Sequence, residues 1–391
     1  MGGVNMFYYR YRPGSELSIK ELIYDELYFA SAAECNDPYE GKVFAKLEKD
    51  ETSWERLIRS ALKSHPVSAY GDLIKRITAY FMSKAPINID EVMSIPDSEF
   101  TRIADNEIEK LVLTSVLECI RNYVAVYIPP EKYFVSFSKS NDNMLMWSHY
   151  ANNHRGYCLI FRTIDGKIRQ HPEWKRTSVS YVTPKSFSPK MSFVIGDSFT
   201  FQDIEYVTPP RYINGFMCFP AALNGDAITE EQIKNFRRES ENIYFQKHKV
   251  WEYEKEVRIV LSSGIPWLAG ERLSLTTHQR LFRYDSTQLA GIVLGAKMPE
   301  SQRHRIREII SEKVNRWHVD SGRERIVSDF VLFTEQLSQT NREVKVEPLE
   351  IYNCTGRIDK TDSGFIKRLK EWENGCAIRF SGSSGERIQI K

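Results

Sequence analysis

No stretch of this chain approaches the roughly 18 consecutive apolar residues that a membrane-spanning helix needs. Its start, MGGVNMFYYRYRPG, carries neither the apolar core nor the small-residue cleavage site of a secretory signal. Both absences lead us to expect a cytoplasmic protein without membrane contact. Charge of one sign is also missing: 54 Lys and Arg against 52 Asp and Glu leave a net charge of +2, with no global pull toward nucleic acid. The 6 cysteines, at 35, 119, 158, 218, 354 and 376, form no close pair and have no histidine at ligand spacing. Neither a disulfide framework nor a metal site follows, and they read as small apolar side chains in a reducing compartment. A glycine-rich phosphate loop is lacking too, since IVLGAKMPES has one glycine and no Gly-Lys followed by Ser or Thr. The P-loop and Rossmann readings thereby lose their main support. Nucleophile-elbow and protein-kinase signatures are likewise absent.

What is present is an ordinary folding composition, 41% hydrophobic and 27% charged over 391 residues, enough for a substantial core. MFYYRYR (6–12) predicts an aromatic-rich strand, broken by Pro-Gly-Ser, after which Ser18 and Glu21 form a capping box for a short helix. LYFASA (27–32) is extended, and ECNDPYEG then demands a turn. Residues 46–128 switch to helical spacing, which predicts a helical insertion. YFVSFS (133–138), GYCLIF (156–161) and AGIVLGAKMP follow as strands, with NMLMWSHYANN (143–153) helical between the first two. Thr229 caps a helix over 229–249, and ESQRHRIREIISEKVNRW (300–317) is a basic amphipathic helix that could touch a nucleic-acid phosphate chain but, with its glutamates offsetting the charge, reads first as a solvated face. The pattern is α+β with a mixed or antiparallel β core. We expect one domain over 1–355 and a loosely constrained extension over 356–391.

The segment VWEYEKEVRIVL (250–261) sets Glu252, Glu254, Glu256 and Arg258 at every second residue. In a strand these share one face, with neighbouring glutamate Cα atoms about 7 Å apart. Either they form a solvated edge that Arg258 screens, or Glu254 and Glu256 act on neighbouring atoms of one substrate. Two further features bear on the choice. Tyr9-Arg10 places a guanidinium, which can fork onto phosphate oxygens, in the first strand. Ser136-Phe137-Ser138 places two hydroxyls on one strand face.

In order, aromatic-Arg, Ser-x-Ser and Glu-x-Glu resemble the Arg-Ser-Glu class of ADP-ribosyltransferases, although Phe137 stands where those enzymes usually have Thr. The resemblance implies NAD as substrate, with Tyr9 and Arg10 holding the dinucleotide and Ser136 and Ser138 bracing the cleft. It also implies that Glu256 stabilises an oxocarbenium-like transition state and that Glu254 assists a macromolecular acceptor, protein or nucleic acid. A second resemblance covers more of the chain. YYRYRP, LYFASAAECNDPYEG, FVSFSKSNDNMLMWSHYANNHRGYCLIF, WEYEKEVRIVL and GIVLGAKMP resemble the mainly bacterial domain-of-unknown-function family DUF2971. That family resembles parts of toxin and phage-defence loci, which implies an intracellular effector.

Other residues are candidates for the same pocket. Asn36 and Asp37 sit in the predicted turn, and Trp147 and His149 on the predicted helix. Met144, Trp147 and Tyr150 or Ala151 form a stripe that reads first as core. Two alternatives stay open: a metal-dependent nuclease or hydrolase using Asp37, Glu40, Glu254, Glu256 and His149, and a non-catalytic sensor or interaction module. Homo-oligomer formation is also open.

Overall fold

The computed structural model describes residues 6–40, 44–63, 70–128, 132–180, 192–220, 229–261, 267–268, 271–272, 275–319, 325–327, 329–353, 356–375, 377–380 and 387–390. A nine-stranded mixed sheet organises the α+β chain. Its strands are β1 (Phe7–Arg12), β2 (Tyr133–Ser138), β3 (Tyr157–Arg162), β4 (Gln202–Asp203), β5 (Glu256–Leu261), β6 (Leu289–Leu294), β7 (Phe330–Leu337), β8 (Val344–Asn353) and β9 (Gly356–Asp359). Across the sheet they lie in the order β4-β5-β2-β1-β3-β6-β7-β8-β9. Neighbours are antiparallel except for the parallel pair β6 and β7.

Strands β3 and β6 are buried at every residue, which explains why YCLIF and LAGIVL are continuous apolar runs rather than alternating ones. One face packs on α1 (Glu16–Ile23) through Ile19 and Leu22, and on the long helix Glu300–Val319 through Ile306, Ile310 and Val314. The opposite face packs on the helix Met144–Tyr150 through Met146 and Trp147, and on Phe365 and Trp372 of the helix Phe365–Glu373. Trp372 stacks on Phe7 at 4.8 Å and donates its indole N–H to the Ala290 carbonyl at 2.9 Å. Strand β9 and this last helix therefore tie part of the C-terminal extension to the main sheet.

The predicted helical insertion encloses a core of its own. Its main helices are α2 (Glu51–Ala61), α3 (Gly71–Lys84) and α4 (Glu107–Tyr127). Apolar residues of α4 recur at 112, 113, 116, 117, 120 and 124, so one face is buried, and the Asn106 side chain caps its first turn by accepting from the Glu109 N–H at 2.9 Å. Trp54 stacks on Phe81 at 4.3 Å in the centre. Ile213, Phe216 and Phe219 complete this core from a region expected to be loop-rich, because isolated apolar residues leave no periodic signal.

Three local expectations change. Helix α1 is capped by Ser15, whose Oγ accepts from the Ser18 N–H at 3.3 Å, because the chain reverses at Gly14 (φ +75°) and helix begins earlier than predicted. Glu21 thereby leaves the capping role and turns onto Arg12. The helix capped by Thr229 ends at Asn242, and Gln246–His248 is a short strand. Residues Lys249–Glu254 form a 3-10 helix rather than strand, and Lys255, at φ +44°, turns the chain into β5.

Candidate functional site

Strands β1 and β2 are neighbours, yet they share one registered pair, Tyr9 with Ser138. On its other side β2 runs in register with β5 from Glu256–Ser138 to Leu261–Tyr133, while β1 stays paired with β3 from Phe7 to Arg12. The two strands therefore part beyond Tyr9, and a cavity of about 420 Å³ opens in the fork. That volume falls within the range of small-molecule sites, roughly 300–1,000 Å³. Tyr9, Arg10, Tyr11 and Arg12 form one wall and Phe134 to Ser138 the other, with Asn36, Glu40, His149, Tyr150, Lys247, Glu254 and Glu256 also lining it.

At the carboxylate end, Lys247 Nζ lies 3.1 Å from Glu40, 2.6 Å from Glu254 and 2.9 Å from Glu256. Arg258 donates through Nε to Glu256 Oε1 at 2.6 Å, contacts Glu40 through Nη2, and donates through Nη1 to the Tyr244 carbonyl at 3.1 Å. All five side chains are buried. The Tyr150 hydroxyl donates to Glu254 Oε1 and accepts from Asn36 Nδ2 at 2.9 Å. Ser138 Oγ donates to the Glu254 carbonyl at 2.7 Å, which fixes the turn between the two glutamates.

This environment separates the two carboxylates. Burial raises the Glu254 pKa, and Lys247 and Tyr150 offset only part of that rise. Burial pushes Glu256 up as well, but Arg258 and Lys247 outweigh it and hold that carboxyl at about 2. Burial disfavours the Lys247 and Arg258 cations, yet their carboxylate partners raise both pKa values. Two nearby acids pushed in opposite directions are the usual arrangement for a general base beside a fixed negative charge.

The opposite wall carries two guanidinium groups and one carboxylate. Arg12 pairs with Glu21, whereas Arg10 Nη1 is 4.0 Å from Glu21 and, though buried, makes no hydrogen bond. Burial and the neighbouring Arg12 lower the Arg10 pKa to about 10. A buried guanidinium without a full set of acceptors is costly, and an anion in the cavity would supply them.

Tyr9, Arg10, Asn36, Ser136, Ser138, His149, Glu254 and Glu256 thus line one cavity. Asp37 lines an adjoining cavity instead, Arg258 lies behind Glu256, and Trp147 is fully buried on the core-facing side of the helix Met144–Tyr150. His149 Nδ1 meets the Tyr253 hydroxyl at 3.2 Å. Of the apolar stripe, Trp147 and Ala151 are core, but Met144 is exposed and Tyr150 turns to Glu254. Lys247 escaped sequence reasoning because a lone lysine in FQKHK has no distinguishing pattern. Among the described residues, no three His, Cys, Asp or Glu side chains gather as a metal-ligand set, and no helix is long and apolar enough to cross a membrane.

These features define an α+β protein with a charged cavity at a forked sheet. The model of the family described as "Protein of unknown function (DUF2971)" matches residues 146–259, a span that includes Tyr150, Lys247, Glu254, Glu256 and Arg258. The resemblance to that family is thereby shown over residues 146–259, which hold the Met-Trp-Ser-His-Tyr motif and the Glu-x-Glu segment but not the motifs nearer either end. No curated protein and no solved structure matches the chain.

Proposed function

We propose that the forked cavity is the active site of an ADP-ribosyltransferase-like enzyme that takes NAD as substrate. The observation that carries this reading is the placement of an under-satisfied buried Arg10 and the Glu254–Glu256 pair on the walls of one cavity. Arg10, helped by Arg12, takes the diphosphate. Glu256, held ionised by Arg258 and Lys247, faces the positive charge that develops on the ribose as the nicotinamide bond breaks and nicotinamide leaves with the bonding electrons. Glu254, with its raised pKa, receives the proton of the attacking acceptor hydroxyl or amine, or of water. The acceptor is a macromolecule in this reading, as expected of a toxin or phage-defence effector.

The metal-dependent hydrolase is the weaker reading, because the carboxylates it would need are engaged by Lys247 and Arg258. Nicotinamide release from NAD, with and without cell lysate as acceptor, tests the proposal. The wild type should release nicotinamide, and Glu256→Gln should lower the rate on the order of a hundredfold or more while the fold persists. Equal rates for the two proteins would reject it.

A further inference from the structure

A second cavity, of about 330 Å³, lies on the far side of the Glu40 and Lys247 side chains, which line both spaces. Phe44, Val207, Pro210 and Tyr212 give it apolar walls, and Asp37 is its acid. Asp37 is 3% exposed, so its carboxylate has been taken almost entirely from bulk water. One oxygen, Oδ1, accepts the Tyr39 N–H at 2.9 Å, while Oδ2 has no hydrogen bond or ion pair among the described residues. That oxygen is left available to a donor inside the cavity, and hydrogen bonds to an ionised carboxylate are the stronger kind.

The surroundings specify the sign and kind of donor. Aromatic faces attract cations, and Tyr212 already does so, with Lys46 Nζ 3.7 Å from its ring centroid. Lys247 would repel a cation were it free, but Glu40, Glu254 and Glu256 surround its ammonium within 3.1 Å. The shared wall is Glu40 and Lys247, and the network behind it, with Glu254, Glu256 and Arg258, sets three carboxylates against two cationic side chains. The shared wall therefore carries no excess positive charge, and the cavity presents acid and aromatic surface, with the Lys46 ammonium at one face of Tyr212.

We propose that this second cavity binds an organic cation, an alkylammonium or guanidinium group, whose N–H donates to Asp37 Oδ2 while its apolar flank rests on Phe44 and Tyr212. The site is separate from the forked cavity and does not depend on NAD chemistry. The group could arrive on a small amine or on a basic side chain of a peptide, and the probes distinguish these sources.

The test is calorimetric titration of the full chain with benzamidinium, with its neutral isostere benzamide, and with an acetylated, amidated arginine tripeptide. Benzamidinium should bind saturably and at least about tenfold more tightly than benzamide, as expected for a charge-assisted hydrogen bond and a cation over an aromatic ring. Asp37→Asn and, separately, Tyr212→Leu should each weaken it about tenfold or more. Saturable binding by the tripeptide as well assigns the site to a peptide side chain, whereas binding of benzamidinium alone assigns it to a small amine. Equal affinity for benzamide and benzamidinium overturns the proposal without any variant. So does unchanged binding in Asp37→Asn, or a wild type that neither cation saturates at millimolar concentration. Because no NAD is present, these outcomes are independent of the transferase reading.

Discussion

Arg258 lies two residues beyond Glu256 and donates through Nε to its carboxylate at 2.6 Å, with both side chains buried. Breaking a buried ion pair by removing one partner costs about 3–5 kcal/mol, because the other charge is left uncompensated. Arg258→Met, which keeps much of the volume, should lower the unfolding free energy in urea by that amount. Adding Glu40→Gln should restore part of the loss, since Glu40 is the second carboxylate that Arg258 holds. A single variant as stable as wild type would show that the network contributes little.

The pH dependence of stability follows from the two glutamates, with opposite signs. The folded pKa of Glu256 is about 2 against an ordinary 4.5, so its contribution is complete above about pH 4.5 and is lost as the pH falls toward 2. The difference corresponds to on the order of 3 kcal/mol. The folded pKa of Glu254 is raised, so its contribution is complete below the ordinary value and weakens as the pH rises through the folded one. Urea midpoints measured from neutral to acid pH should fall for wild type and fall less for Glu256→Gln. Parallel curves would contradict the assignment to Glu256.

Arg10 is expected to serve binding rather than stability. Its buried Nη1 lacks an acceptor, so Arg10→Met removes a desolvated charge and should leave the melting temperature unchanged or raised. Binding of ADP, followed by titration, should weaken about tenfold or more with the loss of a charge-assisted contact. A large fall in melting temperature with unchanged ADP affinity would make Arg10 a structural residue.

Tyr150→Phe removes the hydroxyl that donates to Glu254. That bond favours the ionised carboxylate, so the pKa of Glu254 should rise further, as read from carboxyl carbon shifts in an NMR pH titration. The stability cost should be about 1 kcal/mol. A Glu254 titration that does not move would remove Tyr150 from the site.

Much of the scaffold was legible in local pattern. The strands around Phe7, Tyr133, Tyr157 and Leu289 and the helices of the insertion lie close to where periodicity put them. Arg10, Ser136, Ser138, Glu254 and Glu256 stood out by chemistry, and they line one cavity. The alternation in WEYEKEVR was less faithful. Glu252 is exposed while Glu254, Glu256 and Arg258 are buried, because Lys255 turns the chain and the period of two holds only from Glu256 onward. The solvated edge that this alternation also suggested is thus absent, and β4 covers that side of β5.

The sequence by itself determined the alternation of apolar and polar residues, the turns at Pro-Gly-Ser and Asn-Asp-Pro, and the lack of an apolar run as long as a membrane-spanning helix needs, since each is a property of neighbours along the chain. Only the tertiary structure decided that β1 diverges from β2 after one registered pair, that Lys247 arrives beside three glutamates, that Arg10 is buried with a nitrogen lacking an acceptor, and that Asp37 is buried in a cavity of its own. Those outcomes depend on strands and side chains brought together from distant parts of the chain. The charge state and reactivity of a buried group are set by what surrounds it in space, and one-dimensional spacing does not carry that information.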